Sequence, residues 1–276
     1  MDIEQVSPTG KRPRQRARAT APPGTQAIQR AAGMLHEIAL HRRDGLRLVD
    51  LVKRTRLEQP TVHRILKCLV AEGMVMQDPR TRSYLLGQRI FEFGLAAASH
   101  FNLRDYCQAA LARLAVDTKD TVFLIVRSGF ECVVVERKEG AFPIKTMPLE
   151  IGDRRPLGMG AASQAILMAL SDAEVGEIIQ ANDEELRGEH GVNPDALRRR
   201  LTRSRKSGYA VTKGYGFPGI TGVGVSIRNA WGVPIAAISV TAIAPRMTDS
   251  HIKTVYLALQ KEVLQLQTLL RNRHSP

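Results

Sequence analysis

The stretch Gln59–Gly73, with the sequence QPTVHRILKCLVAEG, predicts a helix with two chemically different faces. Its apolar residues recur at helical spacing, Pro60 suits the first turn, and Gly73 can end the helix with a positive φ. The other face has no carboxylate before Glu72 and carries hydrogen-bond donors, which are Gln59, Thr61, His63, Arg64 and Lys67. Such a face suits a DNA major groove edged by phosphates, although a solvated surface helix would show the same pattern.

Positive charge is concentrated at the N-terminal end of the 276-residue chain, whose formal net charge is +13. Residues 1–90 hold 17 Lys and Arg against 8 Asp and Glu, whereas the remaining 186 residues hold 23 against 19. A charge that served solubility alone would not need to be concentrated in this way. The asymmetry therefore predicts a polyanionic partner for the N-terminal third.

The cysteines, the histidines and the hydropathy limit the class of protein. Cys68, Cys107 and Cys132 are widely spaced and form no CxxC pair, which argues against a disulfide framework and fits a reducing, cytoplasmic location. The seven histidines lack ligand spacing, so no metal site and no cofactor are expected. No apolar run approaches the ~20 residues of a membrane span, and no signal peptide is apparent.

The segments beside Gln59–Gly73 predict a winged helix-turn-helix over residues 25–87. Thr25–His41 and Leu48–Thr55 have apolar residues at helical spacing, and a three-residue turn joins the second of them to the donor-rich helix. Two short extended runs follow, separated by the turn DPRTR with Arg80 and Arg82 at its tip. In a winged helix these arginines would lie beside phosphates or in a minor groove.

Residues 1–24 predict a disordered basic arm, because SPTGKRPRQRARATAPPG has almost nothing to bury. The arm could add phosphate contacts or remain a solvated tail. Residues 88–102 predict a further helix that is more apolar than one exposed helix needs, so it either docks onto its own domain or meets a partner.

The stretch LVDLVKRTRLEQPTVHRILKCLVAEGMVMQDPRTRSYLLGQRIFEFG resembles the DNA-binding domain of the IclR family of bacterial transcriptional regulators. The resemblance rests on four motifs and continues to about residue 272. They are PTVHRIL within the helix, Glu-Gly at its end, Asp-Pro in the turn of the hairpin, and Tyr-x-Leu-Gly at the end of the hairpin. It implies that residues 88–102 are a linker helix of a homodimer, with dimers able to pair into a homotetramer. It also implies that residues 103–273 are a GAF-like effector-binding domain.

One position in the helix-turn-helix departs from the family. Arg56 stands in the turn where the family usually has glycine. If the backbone there has a positive φ, a side chain costs on the order of 1 kcal/mol. Arg56 could also be one more phosphate contact.

Beyond Thr121 the apolar period becomes strand-like, and the whole chain predicts an α+β fold whose second domain has an antiparallel sheet. A hairpin is predicted from Val122–Val126 and Cys132–Val135, and Ile144–Leu149 is predicted as a third strand. The later predicted strands are Tyr209–Lys213, Ile220–Ile227 and Pro234–Ala242. The predicted helices are Leu103–Asp117, Ala161–Leu170, one from Ser171, one from Asn193 to Gly208, and Thr248–Asn272.

Two glycine-rich stretches invite an enzymatic interpretation. Gly158–Ser163 mimics GxGxxG but ends in Ser and lacks a βαβ unit with an acidic residue about 20 positions on. Lys213–Gly219 is not a P-loop, because no Gly-Lys-Ser/Thr follows. No nucleophile has an evident base nearby in sequence, so no catalytic residue is assigned. The alternative function is a small-acid enzyme with an N-terminal nucleic-acid anchor. An architectural DNA binder would not need so large a second domain.

The resemblance assigns these stretches to an effector pocket. PLGMGAASQAIL stands where the family has PLHATxxGKAxL. Amides at the start of that helix, together with hydroxyls, would cage a carboxylate, although each Ser or Thr taken singly is equally an ordinary strand residue. The positions carried over from the family pocket are Ile144, Met147, Gly160, Ala161, Thr212, Gly222, Ser239 and Thr241.

Glycines replace side chains of the family at Gly158, Gly160 and Gly222. They suggest a roomier pocket and a larger carboxylate, an aromatic acid being one option, rather than a two- or three-carbon acid. The sequence therefore predicts a ligand-responsive transcriptional regulator, repressor or activator, that reads an operator in double-stranded DNA and senses a small carboxylic acid.

Overall fold

The computed structural model describes residues 24–41, 44–98, 103–188, 191–215 and 217–272. They fall into two compact units that divide between residues 102 and 103. Each unit has a hydrophobic core of its own. The arm predicted for residues 1–24 lies outside the described residues except for Gly24, as do residues 99–102 at the end of the predicted linker.

The N-terminal unit consists of three packed helices and a two-stranded antiparallel hairpin. Leu46, between the first two helices, forms an isolated bridge with Tyr84 of the hairpin. The predicted winged helix-turn-helix is therefore confirmed. Its elements are α1 (Gln26–Leu40), α2 (Leu48–Thr55), α3 (Gln59–Ala71), β1 (Val75–Gln77) and β2 (Tyr84–Leu86). Its core contains Met34, Ile38, Leu46, Leu51, Val62, Leu66, Leu69, Val75 and Tyr84.

Helix α3 begins and ends for the reasons expected from its sequence. Pro60 lies in the first turn, where no helical hydrogen bond needs its missing N–H. Gly73 has a φ of 66°, and its amide donates to the carbonyl of Val70 at 3.0 Å. Val62, Leu66 and Leu69 are buried. The donor-rich face consequently points away from the core.

The turn of the helix-turn-helix contains a residue in an unfavourable conformation. Arg56 ends α2 with a φ of 55° and a ψ of 27°, and its amide donates to the carbonyl of Val52. In this left-handed region a side chain crowds the backbone, whereas glycine does not. The positive φ falls at the position where the resemblance expects glycine.

Replacing Arg56 with glycine is expected to raise the free energy of unfolding by about 0.5–1 kcal/mol, because the strain is relieved. Urea denaturation followed by circular dichroism measures the change. Arg56→Ala is the control, since it removes the charge but keeps the Cβ atom, and it should give no such gain. Equal gains in the two variants would point to the charge and contradict the strain argument.

The helix after the wing, α4 (Gln88–Ala98), exposes large apolar side chains. Phe91, Phe93 and Leu95 are 65%, 51% and 59% exposed. The first turn of α4 is tied to the end of α3, because Arg89 donates to the Glu72 carbonyl at 3.2 Å and lies 3.3 Å from its carboxylate. The rest of the helix exposes apolar side chains to solvent in the single chain.

The C-terminal unit is built on a six-stranded antiparallel sheet in the order β5-β4-β3-β8-β7-β6. The α+β class is therefore confirmed. The strands are β3 (Thr121–Ser128), β4 (Glu131–Lys138), β5 (Arg154–Pro156), β6 (Ala210–Lys213), β7 (Ile220–Arg228) and β8 (Pro234–Ile243). The helices are α5 (Leu103–Thr118), α6 (Ala161–Met168), α7 (Asp172–Ala181), α8 (Asp183–Gly188), α9 (Pro194–Ser207) and α10 (Asp249–Asn272).

Side-chain alternation along the strands feeds two cores, one on each face of the sheet. On β3, Val122 and Leu124 join the core formed with α5 and α10, whereas Phe123 and Ile125 join the core formed with α6 to α9. Ser239 of β8 lies directly opposite Phe123, so its side chain shares the second face. This is the face on which the candidate pocket residues meet.

The prediction of a third strand in this unit is wrong. Ile144–Leu149 forms no strand, and the hydroxyl of Thr146 ties the segment to β8 by donating to the Thr241 carbonyl at 3.0 Å. Pro143 and Pro148 stand at its two ends and have no N–H for a sheet ladder. The strand beside β4 is instead β5, and the short helix α8 was not predicted.

Candidate functional site

The outward face of α3 carries side chains that are free to meet an external partner. Gln59, His63, Arg64 and Lys67 are exposed, and Thr61 is half-buried beside the core. No described residue forms a hydrogen bond or an ion pair with the side chains of His63, Arg64 or Lys67. Three donors on one helix face, without internal acceptors, can therefore bind acceptors on another molecule.

The turn between β1 and β2, which is the wing, has its backbone held by the carboxylate of Asp78. Asp78 Oδ1 accepts hydrogen bonds from the amides of Arg80 and Thr81, at 2.7 and 3.3 Å. These backbone hydrogen bonds hold the pKa of Asp78 below its usual value. Arg82 has a φ of 60°, and its amide donates to the Asp78 carbonyl at 2.9 Å. The turn thus presents both exposed arginines, Arg80 and Arg82, from an ordered backbone.

A cavity in the C-terminal unit lies between the start of α6 and the face of the sheet. It encloses about 40 Å³, which is room for about three water molecules. Three aromatic side chains contribute to its walls, from Phe123 on β3 and from Tyr215 and Phe217 in the β6–β7 connection. Its polar lining includes Asp153, Arg155, Ser163, Thr212, Ser239 and Thr241.

Six of the eight predicted pocket residues meet in this cavity. They are Gly160, Ala161, Thr212, Gly222, Ser239 and Thr241. Ile144 and Met147 do not line it. They lie in the irregular segment before β5 and are 56% and 52% exposed. The expectation that both would form apolar walls on a strand is corrected, because that strand does not exist.

The hydroxyl groups in the cavity differ in how far they are already engaged. Thr241 Oγ1 lies 2.9 Å from Thr146 Oγ1, so part of its capacity is used inside the protein. Thr212 and Ser239 are nearly buried, and their hydroxyls form no hydrogen bond with any described residue. These two hydroxyls are consequently the ones available to a ligand.

Close packing of backbone brings the start of α6 onto the sheet. A Cβ atom on Gly224 of β7 would lie 2.6 Å from the carbonyl oxygen of Ala161, so only glycine permits this approach. Gly160 caps α6 with a φ of 81°. The hydroxyl of Ser163 donates to the Met159 carbonyl at 2.6 Å and accepts from the Gly158 amide at 3.1 Å. The first amides of α6 are fixed at the cavity wall.

The glycines that suggested a roomier pocket have other structural roles. Gly158 has a φ of 119°, and a Cβ atom there would lie 2.8 Å from Leu197 Cδ2. A Cβ atom on Gly222 would lie 3.1 Å from the Cβ of Ala161. Gly158 permits a positive φ, and Gly222 permits the close approach of α6 to β7. Neither glycine leaves empty space, so neither carries information about the size of a ligand.

Sequence reasoning missed the arginine of this cavity. Arg155 lies on β5 opposite Cys132 of β4, and its Nε is buried without a hydrogen-bond partner. Burial in the same wall raises the pKa of the Cys132 thiol to about 12. The only sequence signal was the Arg154-Arg155 pair itself, which does not reveal which side chain turns inward.

The described residues offer little to the enzymatic alternative. Gly158–Ser163 follows a strand of an antiparallel sheet rather than a parallel βαβ unit, so it is not a dinucleotide-binding turn. No group of three or more His, Cys, Asp or Glu among these residues is arranged to hold a metal ion. No helix in the described ranges is long and apolar enough to cross a membrane.

Comparison with known proteins gives matches along nearly the whole chain. Residues 27–79 match the IclR helix-turn-helix domain, and residues 95–268 match the C-terminal domain of bacterial transcriptional regulator IclR. The HTH-type transcriptional regulator XynR of Escherichia coli K12 is 26% identical over 249 residues, covering 90% of this chain and 98% of XynR. The HTH-type transcriptional repressor AllR of Salmonella typhi is 29% identical, covering 85% and 86%.

Solved structures share the fold at lower sequence identity. An IclR transcriptional regulator from Alicyclobacillus acidocaldarius has a TM-score of 0.74 at 20% identity and covers 88% of this chain and 97% of its own. An IclR homologue from Microbacterium hydrocarbonoxydans, complexed with 4-hydroxybenzoate, has a TM-score of 0.71 at 22% identity and covers 89% and 99%. The match of the C-terminal family model alone spans more than half of this chain. The chain therefore belongs to the IclR family of bacterial transcriptional regulators and is a helix-turn-helix regulator of transcription.

Proposed function

We propose that α3 enters the major groove of an operator and that the wing contacts the DNA backbone. Thr61, His63, Arg64 and Lys67 would approach base edges or phosphates, because their side chains donate to no acceptor among the described residues. Gln59, Arg80 and Arg82 would set the register on phosphates. The observation that carries this assignment is the exposed, unpaired donor face of α3 above a fully apolar buried stripe.

The same proposal gives the C-terminal cavity the role of an effector site for a small organic carboxylate. The unengaged hydroxyls of Thr212 and Ser239 line the same cavity as the first residues of α6, from Ala161 onward, whose amides would be further donors. A carboxylate needs several such donors when it leaves water. Binding at this wall would shift the population of DNA-competent states.

A monocyclic aromatic acid is the first candidate for that effector. Phe123, Tyr215 and Phe217 offer ring surfaces to a planar ligand. The homologue from Microbacterium hydrocarbonoxydans is complexed with 4-hydroxybenzoate. The free volume of about 40 Å³ is smaller than such a ring, so the cavity has to widen to admit it.

The regulator is proposed to act in the cytoplasm as a homodimer or a homotetramer. The exposed apolar side chains of α4, which are Phe91, Phe93 and Leu95, support pairing with a second copy. A twofold dimer would read the two halves of a palindromic operator. No catalytic role is proposed, and the effector should be recovered unchanged after prolonged incubation with the protein.

A mobility-shift titration on the DNA upstream of the protein's own gene tests the proposal. A specific shift should persist at physiological salt, and one of 4-hydroxybenzoate, benzoate, glyoxylate or pyruvate should move its midpoint by about 5-fold or more. Calorimetric titration of the same acids ranks their affinities. An unrelated DNA of equal length is the control for non-specific binding.

The outcomes separate the parts of the proposal. Weak binding that collapses with added salt and ignores every acid would leave only non-specific attraction to DNA and contradict the effector role. Tighter binding of glyoxylate or pyruvate than of 4-hydroxybenzoate would retain a carboxylate effector but contradict the aromatic assignment. Consumption of the bound acid would favour the enzymatic alternative.

A further inference from the structure

Arg155 is placed in the effector cavity by the pairing of two strands. It lies directly opposite Cys132 in the antiparallel ladder between β5 and β4. Side chains of directly opposed residues share a face, and Cys132 belongs to the core under α6. Arg155 therefore points to the α6 side of the sheet, where it lines the cavity. Its neighbour Arg154 points to the other face.

The two adjacent arginines have very different surroundings. Arg154 Nη2 lies 2.6 Å from Glu131 Oε2 and 2.9 Å from Ser128 Oγ, so its charge is compensated. Arg155 donates from Nη1 to the carbonyl of Arg154 at 3.1 Å, and its Nε is buried without a partner. No described carboxylate forms an ion pair with it. A guanidinium group is thus held in a cavity wall with unused donors.

An acidic residue of the same wall does not serve as its counter-ion. Asp153 also lines the cavity, and its Oδ2 accepts a hydrogen bond from the amide of Glu150 at 2.8 Å. It forms no ion pair with Arg155. Arg155 therefore lines the cavity with a charge that no described carboxylate pairs, and an anion that enters the cavity would compensate it.

We propose that Arg155 binds the carboxylate of the effector and makes the cavity select acids over neutral molecules of the same shape. This inference rests on the proposed effector role of the cavity. The guanidinium group supplies two parallel N–H donors, which match the two oxygens of a carboxylate. Thr212 and Ser239 then bind the remaining polar atoms of the ligand.

The test compares acids with their amides on the full-length protein. Calorimetric titration is performed with 4-hydroxybenzoate and 4-hydroxybenzamide, and with pyruvate and pyruvamide. The wild-type protein should prefer at least one acid over its amide. Arg155→Gln should raise the Kd of that acid by about 10- to 100-fold, because the charged contact is lost. The Kd of the amide should stay within about 3-fold of its wild-type value.

Arg154→Gln is the matched control, since it removes the same charge one residue away on the other face of the sheet. It should keep the wild-type preference for the acid. Arg155→Lys keeps the positive charge and should therefore retain part of the preference that Arg155→Gln loses. Circular dichroism verifies that each variant is folded. If the spectrum shows that the Arg155→Gln protein is not folded, the Arg155→Lys protein carries the comparison.

The results distinguish this inference from the function on which it rests. Equal acid binding by the wild-type and Arg155→Gln proteins would overturn the role of Arg155 and leave the effector site in place. Parallel loss of acid and amide would also overturn it, because the residue would then only shape the cavity. A wild-type protein that binds none of the four probes would overturn the proposed effector function together with this inference.

Discussion

Replacing Asp120 with alanine is expected to lower the free energy of unfolding by about 3 kcal/mol. The side chain of Asp120 is 1% exposed and lies at the start of the sheet. Its Oδ1 is 2.6 Å from Arg246 Nε, and its Oδ2 is 2.7 Å from His251 Nε2. One buried carboxylate thus connects β3 to the loop before α10 and to α10 itself.

The loss is large because removing the carboxylate leaves its partner behind. Arg246 also donates to the Thr118 carbonyl at 3.0 Å, and its guanidinium lies 4.1 Å from the ring centroid of Phe142. It is therefore held in place when its counter-ion disappears. Breaking one side of a buried pair costs more than the pair contributes, since the remaining charge is desolvated without compensation.

Urea denaturation measures this effect, and the chain offers a matched control. Asp249 pairs with Lys213 at 3.2 Å, but the two side chains are 92% and 64% exposed. Asp249→Ala should therefore change the free energy of unfolding by no more than about 0.5 kcal/mol. Similar losses in the two variants would contradict the argument that burial decides the energy of these ion pairs.

The fold of the N-terminal unit could be predicted because its determinants are local. Pro60, Gly73 and the apolar stripe of α3 act within one helix, and the hairpin follows from the turn at Asp78. Arg56 illustrates the same point, since a substitution at a single turn position predicted an unfavourable φ that the structure contains.

The cavity could be predicted only in part, because distant segments form it. Ser239 and Thr241 lie on one face of β8 because side chains alternate along a strand, which is a local property. The close approach of Gly224 to Ala161 depends on two elements far apart in sequence, and no pattern near either glycine reveals it. The inward turn of Arg155 depends on its pairing with Cys132 rather than on the residues beside it.

The prolines explain the clearest error in the C-terminal unit. The segment Ile144–Leu149 resembles a strand because apolar residues recur among polar ones, yet Pro143 and Pro148 lack the N–H donors that a ladder requires. Ile144 and Met147 are consequently exposed instead of lining the cavity.

Replacing Arg64 with alanine is expected to weaken specific operator binding by about 1–3 kcal/mol for each half-site, if Arg64 contacts a base. A dimer carries the change in both half-sites, so the total loss would be about 2–6 kcal/mol, or roughly 30-fold to more than 10,000-fold in Kd. The fold should be unaffected, because Arg64 is exposed and has no partner among the described residues.

Mobility-shift titrations at several salt concentrations test the role of Arg64 against that of an arginine elsewhere in the same unit. Arg89→Ala removes one exposed charge from α4, where the guanidinium is already engaged by Glu72, and should change the affinity little. Loss of specific binding with an unchanged salt dependence would assign Arg64 to a base edge. A uniform loss on all DNA, with a salt slope smaller by about 1 for each half-site, would assign it to a phosphate. An unchanged affinity and footprint in the Arg64→Ala protein would contradict the proposal that this face of α3 reads the operator. Arg64 forms no hydrogen bond or ion pair with another described side chain, so a structural change elsewhere would not offset the loss of a DNA contact.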